Sequence, residues 1–261
     1  MKIHRIYAVI LRHLYNFKHS YDRMSDAFYW PAMDLVIWGL TSSYFVSLAP
    51  DTSKLIPALL GGILFWIVCW RAHYEVTINL LGELWDRNLI NLFVSPLKFS
   101  EWVTALLCIG VIKAFISLAF AGILALVLYK FEFLSFGFYM LPFFLLLLMT
   151  GWWLGFLISA IILKYGTRVQ TLGWTVIGAA SPFSAIFFPV SILPEWAQVV
   201  SSLFPTSYVF EGMREVVYTG TLSWDKVYIS FGLNILYFVL SLLLLKNSFK
   251  ATLRRGLQSV G

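Results

Sequence analysis

Four ionisable side chains lie inside the most apolar stretches of this sequence: Asp34, Arg71, Glu75 and Lys113. Lipid solvates charge poorly, so a charged residue at membrane depth is a functional-site hypothesis by default. Asp34 and Arg71 are expected about 10 Å from the same end of their segments, which allows them to pair. Glu75 follows Arg71 by four residues and offers it a second partner on one helix face.

Two interpretations of these charges stay open. The four side chains can form a structural ion network between packed helices, or some of them can stand at the mouth of a cavity that faces the cytoplasm. Four tryptophans are candidates to line a path for an amphiphilic molecule, with lipid contact or packing as the alternative. They are Trp66, Trp70, Trp152 and Trp153.

No familiar catalytic motif accompanies these charges. The sequence has no G-x-x-x-x-G-K-[ST] phosphate loop, no G-x-S-x-G turn and no His/Cys/Asp/Glu cluster with metal spacing. Cys69 and Cys108 lie in apolar runs and define no disulfide framework. His4, His13 and His19 fall near the N-terminus, where they are expected to face solvent or lipid headgroups. We therefore predict no catalytic residue, metal or cofactor in this chain.

An apolar composition determines the elements that position these residues. The 261 residues are 60% hydrophobic and 12% charged, which is about half the charged share of a soluble domain. The net charge of +6 is attributed to loops that lie against an anionic leaflet. Nucleic acid is not expected as a partner, because no basic patch with interleaved aromatics lies outside the apolar segments. The composition predicts an all-α membrane protein of one domain, residues 1–261.

Six segments are apolar enough and long enough to cross a bilayer, which takes roughly 20 residues. They are residues 28–49, 56–80, 103–128, 139–163, 170–189 and 227–245. Six crossings place both termini on one side. With cytoplasmic termini, thirteen Lys and Arg lie inside and four outside, as the positive-inside rule favours. Residues 246–261 then form a cytoplasmic tail.

Residues 1–25 are predicted to form an amphipathic interfacial helix. Apolar side chains recur at spacings of three and four, and basic and polar side chains occupy the other face. The apolar set is Ile3, Ile6, Tyr7, Ile10, Leu14 and Phe17, and the polar set is Lys2, Arg5, Arg12, His13, Asn16 and His19. Such a helix lies in the membrane interface. Packing of this helix on a partner protein is the alternative.

The stretch FFPVSILPEWAQVVSSLFPTSYVFEGMR, residues 187–214, is apolar but cut by prolines into pieces too short to span. Pro194 suits the start of a short helix, Pro205 breaks it, and a second helix runs to about Tyr218. Each piece is about 15 Å long. We predict a re-entrant helical hairpin over residues 190–220, entering from outside. Two helices resting on the outer surface are the alternative.

The segment GELWDRNLINLFVSPLKFSEW, residues 82–102, is the longest predicted cytoplasmic loop. It is expected to form a short amphipathic helix that Pro96 ends, with an i,i+4 ion pair between Glu83 and Arg87. Such a helix can dock into a groove on a soluble partner. A helix lying on the membrane surface has the same pattern.

These features together resemble the membrane subunit of type-2 ATP-binding-cassette (ABC) exporters, a class that includes O-antigen, teichoic-acid, drug and lipid exporters. The most specific match is the family's P-x-x-Y-x-x-E-G-x-R run. Its residues here are Pro205, Tyr208, Glu211, Gly212 and Arg214. The resemblance implies an external hairpin before the last span, with an external gate formed by Pro194, Pro205, Tyr208, Glu211 and Arg214.

The run from Arg87 to Trp102 also resembles the loop by which this family couples to its ATPase. The resemblance implies that seven consecutive residues contact that ATPase: Glu83, Leu84, Trp85, Asp86, Arg87, Asn88 and Leu89. It further implies two copies of this permease and two copies of a separate ABC ATPase, which holds ATP and Mg. Membrane lipid is the remaining expected partner. The expected location is a bacterial or archaeal cell (inner) membrane, as a multi-pass protein with cytoplasmic termini.

The implied function is export of an amphiphile such as a lipid, a lipid-linked glycan or a hydrophobic drug. Two other classes stay open. An intramembrane enzyme acting on lipid head groups would need Asp34, Arg71 or Glu75 for turnover. An ion-coupled secondary transporter would show half-helices at two symmetry-related places, and the sequence offers one.

Overall fold

A computed structural model describes residues 1–48 and 54–255, which are largely helical and confirm the predicted all-α class. The helices in chain order are α1 (Ile3–His19), α2 (Tyr21–Leu48), α3 (Leu55–Trp85), α4 (Leu89–Val94), α5 (Phe99–Tyr129), α6 (Met140–Tyr165), α7 (Leu172–Ala180), α8 (Glu195–Ser202), α9 (Pro205–Thr219) and α10 (Trp224–Arg255). Short 3₁₀ turns flank α6 and follow α7.

Helix α3 lies at the centre of the bundle. Helices α5 and α6 pack along it, α2 adds a further contact, and α10 packs against α6. Most side chains of α3 from Ala58 to Glu83 are buried, and the face formed by Trp66, Trp70 and Tyr74 is partly exposed. One core cluster includes Phe65 and Phe143, and a second lies around Phe156. The charged residues of α3 are therefore held in a closely packed environment.

Within the part of the chain that the structure describes, four helical segments are long and apolar enough to cross a membrane. They are Leu55–Trp85, Phe99–Tyr129, Phe133–Val169 and Trp224–Thr252, and they contain the second, third, fourth and sixth predicted spans. The first predicted span falls on α2, a helix of sufficient length that is not among the four and carries Asp22, Arg23, Asp26 and Asp34. Residue 49 of that span lies outside the described residues.

The fifth predicted span, residues 170–189, is wrong as a continuous helix. Helix α7 has nine residues, which is about 13 Å. A 3₁₀ turn follows at Ser181–Ser184, and Ala185 has a left-handed φ of 58°. Pro182 explains the end of α7, because proline has no N–H with which to continue the helical hydrogen bonds. Apolar composition alone could not show this interruption.

Several predicted boundaries also shift. Helix α1 ends at His19 and α2 begins at Tyr21, so the predicted interfacial segment of residues 1–25 contains parts of two helices. Helix α10 continues to Arg255, so the first part of the predicted tail is helical. Residues 256–261 of that tail lie outside the described residues.

The two short helices predicted before the last span are α8 and α9. Pro205 is the first residue of α9, where a missing N–H has no cost. It therefore begins the second helix as well as ending the first. Gly220 ends α9 with a φ of 77°, a left-handed conformation that glycine adopts without strain.

Pro31 lies inside α2 without ending it. A proline in this position leaves the carbonyl group of Ala27 without its usual helical partner. The hydroxyl of Ser117, a fully buried residue of α5, donates to that carbonyl at 3.1 Å. A neighbouring helix thus satisfies the freed backbone group, which is the condition for tolerating proline in an apolar bundle.

Close packing of α6 on α3 depends on two glycines. A methyl group at Gly155 would lie 2.7 Å from Cβ of Val76, and one at Gly151 would overlap the carbonyl oxygen of Cys69. Small residues at such positions let two helix backbones approach. Gly232 of α10, by contrast, has open space around it.

We predict that Gly151→Ala lowers the stability of the fold by roughly 1–3 kcal/mol, because the added methyl group must push α3 and α6 apart. The apparent melting temperature of the detergent-solubilised protein measures this. Gly232→Ala is the matched control and should leave the melting temperature unchanged or raise it. Equal melting temperatures for both variants would contradict the close contact.

Candidate functional site

Glu75 is the centre of a buried ion network between α3 and α5. One carboxylate oxygen accepts a hydrogen bond from Nζ of Lys113 at 2.6 Å, and the other lies 3.7 Å from Nη1 of Arg71. All three side chains are about 2% exposed. Two cations around one carboxylate offset much of the desolvation cost of burying these charges.

Asp26 of α2 completes the network by balancing the second cation. Arg71 donates from Nη1 to its carboxylate at 2.9 Å and from Nη2 to its main-chain carbonyl at 2.8 Å. The predicted pairing of Arg71 with Asp34 is therefore wrong. Helix α2 begins seven residues earlier than the predicted first span, which brings Asp26 into reach at the level of Arg71. The buried charge network consists of Asp26, Arg71, Glu75 and Lys113.

Helix α1 covers one side of this network and is not simply a surface helix. The ring of Phe17 lies 4.7 Å below Nζ of Lys113, and His13 is only 3% exposed. Burial, followed by the positive charges of Arg12, Lys113 and Arg23, lowers the pKa of His13 to about 3, so its imidazole is neutral at pH 7. The expectation that His13 faces solvent or headgroups is wrong.

An aromatic cavity of about 470 Å³ lies between α2, α3, α7 and the chain that follows α7. On each helix its lining side chains recur at intervals of three or four residues, so each helix contributes one face. Five of the eleven tryptophans in the chain line this cavity. They are Trp30, Trp38, Trp66, Trp70 and Trp174.

Two contacts mark opposite ends of the aromatic cavity. At one end Asp26 pairs with Arg71, both of which line it. At the other end the ring of Trp38 stacks on that of Phe187, with centroids 4.3 Å apart. Asp26 and Trp38 are twelve residues apart on α2, which corresponds to about 18 Å. The cavity therefore extends along α2 between an ion pair and an aromatic stack.

Asp34 lies in the cavity wall between these two ends and is half-buried. Within residues 1–48 and 54–255, no hydrogen bond or ion pair joins its carboxylate to another group. Trp30 and Trp38 flank it on the same face of α2, four residues away in each direction. Of the four residues predicted as membrane charges, three form the network and Asp34 stands alone in the cavity.

The four tryptophans predicted to line a path divide equally. Trp66 and Trp70 line the aromatic cavity. Trp152 packs against Phe238 of α10, and Trp153 donates its indole N–H to Asn234 at 3.1 Å. Apolar periodicity could not separate these pairs, because both lie on helices that are apolar all round.

His73 connects the walls of the cavity and carried no signal in the sequence. Its Nε2 lies 2.9 Å from the main-chain carbonyl oxygen of Gly173, and the residue is fully buried. This contact joins α3 to α7. The sequence does not indicate this contact, because the contact forms only when α7 folds back onto α3.

Arg214 and Glu211 hold the broken chain after α7. The predicted ion pair is present, with Nη1 of Arg214 donating to Glu211 at 3.2 Å. Arg214 also donates to the carbonyls of Ala185 and, at 3.0 Å, Phe188. Glu211 in turn accepts from the main-chain N–H of Val190 at 2.8 Å. One ion pair on α9 therefore satisfies three backbone groups in the non-helical segment 185–190.

The other residues predicted for the external gate have structural contacts in α8 and α9. Tyr208 donates its hydroxyl to the carbonyl of Ser202 at 3.0 Å, across the junction of the two helices. Pro194 is the N-cap residue of α8, and its carbonyl accepts the first hydrogen bond of that helix. These residues fix the geometry of the α8–α9 pair.

The predicted coupling residues Glu83, Leu84, Trp85, Asp86, Arg87, Asn88 and Leu89 do not form one helix. The first three end α3, Leu89 begins α4, and Arg87 between them has a φ of 51°. The predicted Glu83–Arg87 pair is absent from the described residues. Glu83 is buried and instead binds Arg12 of α1. A continuous helix was assumed, and the turn places Glu83 and Arg87 apart.

We predict that Glu75→Gln destabilises the protein by roughly 3–5 kcal/mol, because two buried cations lose their common carboxylate. Adding Lys113→Met should recover part of this loss in the double variant. The control Glu215→Gln removes a partly exposed ion pair with Lys226 and should cost under about 1 kcal/mol. Apparent melting temperatures in detergent measure all three, and a double variant no more stable than Glu75→Gln would contradict the coupling.

We predict that Arg214→Ala accelerates amide hydrogen exchange over residues 185–190 by about tenfold or more, since unsatisfied buried carbonyls cost about 1–3 kcal/mol each. Arg214→Lys should restore little, because one ammonium group cannot reproduce the planar fork. Glu215→Ala on the same helix is the control. Unchanged exchange in Arg214→Ala would show that other contacts hold the segment.

A family model described as ABC-2 family transporter protein matches residues 43–245, which is more than three quarters of the chain. The match includes α3 to α9 and excludes α1 and most of α2. No curated protein matches significantly. The extent of the family match shows that this chain belongs to the ABC-2 family of transporter proteins, as a multi-pass membrane protein.

Proposed function

We propose that this chain is the permease subunit of an ABC exporter that moves an amphiphile out across the cell membrane. Two copies pair to form the path, and two copies of a separate ATPase drive it with ATP and Mg. The termini are cytoplasmic, α1 lies at the inner surface, and α8 and α9 form a re-entrant hairpin on the outside. Family membership supports the class of function.

The single observation that supports an amphiphilic substrate is the aromatic cavity. Its volume of about 470 Å³ falls within the range of ordinary small-molecule sites. Its wall is mainly aromatic and aliphatic, with a few polar groups, as expected for a molecule that has a hydrocarbon body and one polar end. Conformational change, rather than covalent chemistry in this chain, would then move the molecule outward.

The turn between α3 and α4 supports the proposed contact with the ATPase. Trp85, Asp86 and Arg87 are exposed there, while Leu89 beside them is buried and anchors α4. Helix α1 holds the same region, because Arg12 binds Glu83 and Arg5 donates to the carbonyl of Pro96. A push on this turn would therefore reach both α1 and the central helix α3.

The chain from Ala185 to Thr219 supports the proposed external closure. Phe187 stacks on Trp38 at one end of the cavity, and Arg214 fixes the adjacent backbone. Motion of α9 relative to α2 would separate that stack. In the proposed topology this end faces outward, so the stack would close the cavity until the substrate leaves.

We predict that the double charge reversal Asp86→Lys with Arg87→Glu weakens binding to the partner ATPase by about tenfold or more, because exposed interface charges are mismatched. Co-purification with a candidate partner ABC ATPase, together with the rate of ATP hydrolysis by that ATPase, measures this. Glu132→Lys, at an exposed residue beyond α5, is the control.

A protein that is fully active without any ATPase would refute the proposed class. An intramembrane enzyme would behave in this way, turning over lipid head groups alone. An unchanged complex with the doubly reversed variant would instead move the contact surface away from the α3–α4 turn.

A further inference from the structure

We propose that the aromatic cavity binds an organic cation, a protonated or quaternary amine carried on an apolar body, with Asp34 as its counter-ion. This substrate class rests on the proposed function for its role in transport, although binding itself does not. The family match leaves the substrate open, whereas the charges and aromatic rings around the cavity indicate a cation.

The charged side chains in the cavity wall do not all have partners in the part of the chain that the structure describes. Three charged side chains line it, Asp26, Asp34 and Arg71. Arg71 and Asp26 neutralise each other at 2.9 Å, and Arg71 shares Glu75 with Lys113 behind the wall. Asp34 is the remaining charge, and within the described residues no cation contacts it. When Asp34 is ionised, its charge therefore has no partner within the described residues, and the apolar surroundings strengthen its attraction for a cation that enters the cavity.

The aromatic rings around Asp34 are of the kind that attracts a cation. Trp30 and Trp38 flank it on α2, and Trp66 and Trp70 line the facing wall on α3. Tryptophan has the strongest attraction for a cation among the aromatic side chains, and enclosing several rings around a charge is how proteins bind quaternary ammonium groups. The wall already shows this interaction, because the guanidinium of Arg71 lies 5.5 Å from the centre of the Tyr74 ring.

The volume of the cavity and its entrance limit which molecules can bind. Trp30 of α2 and Trp174 of α7 are the most exposed of the five tryptophans, at 58% and 36%, and they mark the entrance between these helices. The enclosed volume of about 470 Å³ suits a drug-sized molecule and excludes a long glycan chain. A neutral sugar would also stack on tryptophan, but it would leave the charge of Asp34 uncompensated.

The test uses two probes of nearly equal shape and opposite charge. Tetraphenylphosphonium and tetraphenylborate are titrated onto the full chain in lipid nanodiscs, and quenching of tryptophan fluorescence reports binding. We expect saturable binding of the cation and at least about tenfold weaker binding of the anion, after subtraction of the signal from empty discs. This comparison needs no variant. Equal binding of both ions, or tighter binding of the anion, would overturn the proposal.

Matched variants then locate the site. Asp34→Asn should weaken binding of tetraphenylphosphonium by at least about tenfold and leave tetraphenylborate unchanged or tighter. Trp30→Leu should weaken binding of tetraphenylphosphonium by a smaller factor than Asp34→Asn does. Trp30→Phe should restore part of the binding that Trp30→Leu loses. Glu195→Gln and Trp196→Leu, on the exposed surface of α8, are the controls. If cation binding were the same in Asp34→Asn as in the parent, the cavity would not be the site.

Failure of this proposal and failure of the proposed function are distinguishable. Binding is measured without nucleotide or ATPase, so it does not depend on transport. Stimulation of the ATPase by neutral or anionic amphiphiles, without cation binding, would reject the cation and keep the exporter. Cation binding in a protein that has no partner ATPase would reject the exporter and keep the site.

Discussion

The carboxylate of Glu75 is the constraint on which the rest of the structure depends. It lies in α3 and is shared by two cations that are each about 2% exposed. Because each cation must remain neutralised, Arg71 recruits Asp26 from α2, and Lys113 fixes α5 beside α3. The first five helices are thus positioned by charge as well as by apolar packing, since α1 covers the network and clasps the α3–α4 turn.

The sequence predicts the parts of this fold that follow from composition and periodicity. Four of six spans, the two short helices α8 and α9, and the Glu211–Arg214 pair needed only apolar length, proline positions and i,i+3 spacing. The break after α7 was missed because Pro182 sits in an otherwise apolar run. The partners of Arg71 and Glu83 were missed because both come from helices distant in the chain, Asp26 and Arg12, whose positions depend on tertiary packing.

The Arg214–Glu211 pair satisfies backbone groups where the chain leaves helical geometry. Backbone that leaves helical geometry in apolar surroundings must find hydrogen bonds elsewhere, and α9 supplies them to the chain after α7. This permits a non-helical wall on one side of the cavity, so that Phe187 can lie across its end. Trp38, Trp66 and Trp174 line the cavity beside this wall.

The proline in α2 has a mechanical consequence. At Pro31 the helix has one fewer internal bond, and the freed carbonyl of Ala27 rests on a hydroxyl of α5. Bending there disturbs one helical hydrogen bond fewer than bending elsewhere in α2. The part of α2 before Pro31 is tethered by Asp26 to Arg71, whereas the part after Pro31 bears Asp34 and Trp38. Pro31 is therefore the position at which α2 bends most readily, between its contact with Arg71 on one side and with Phe187 on the other.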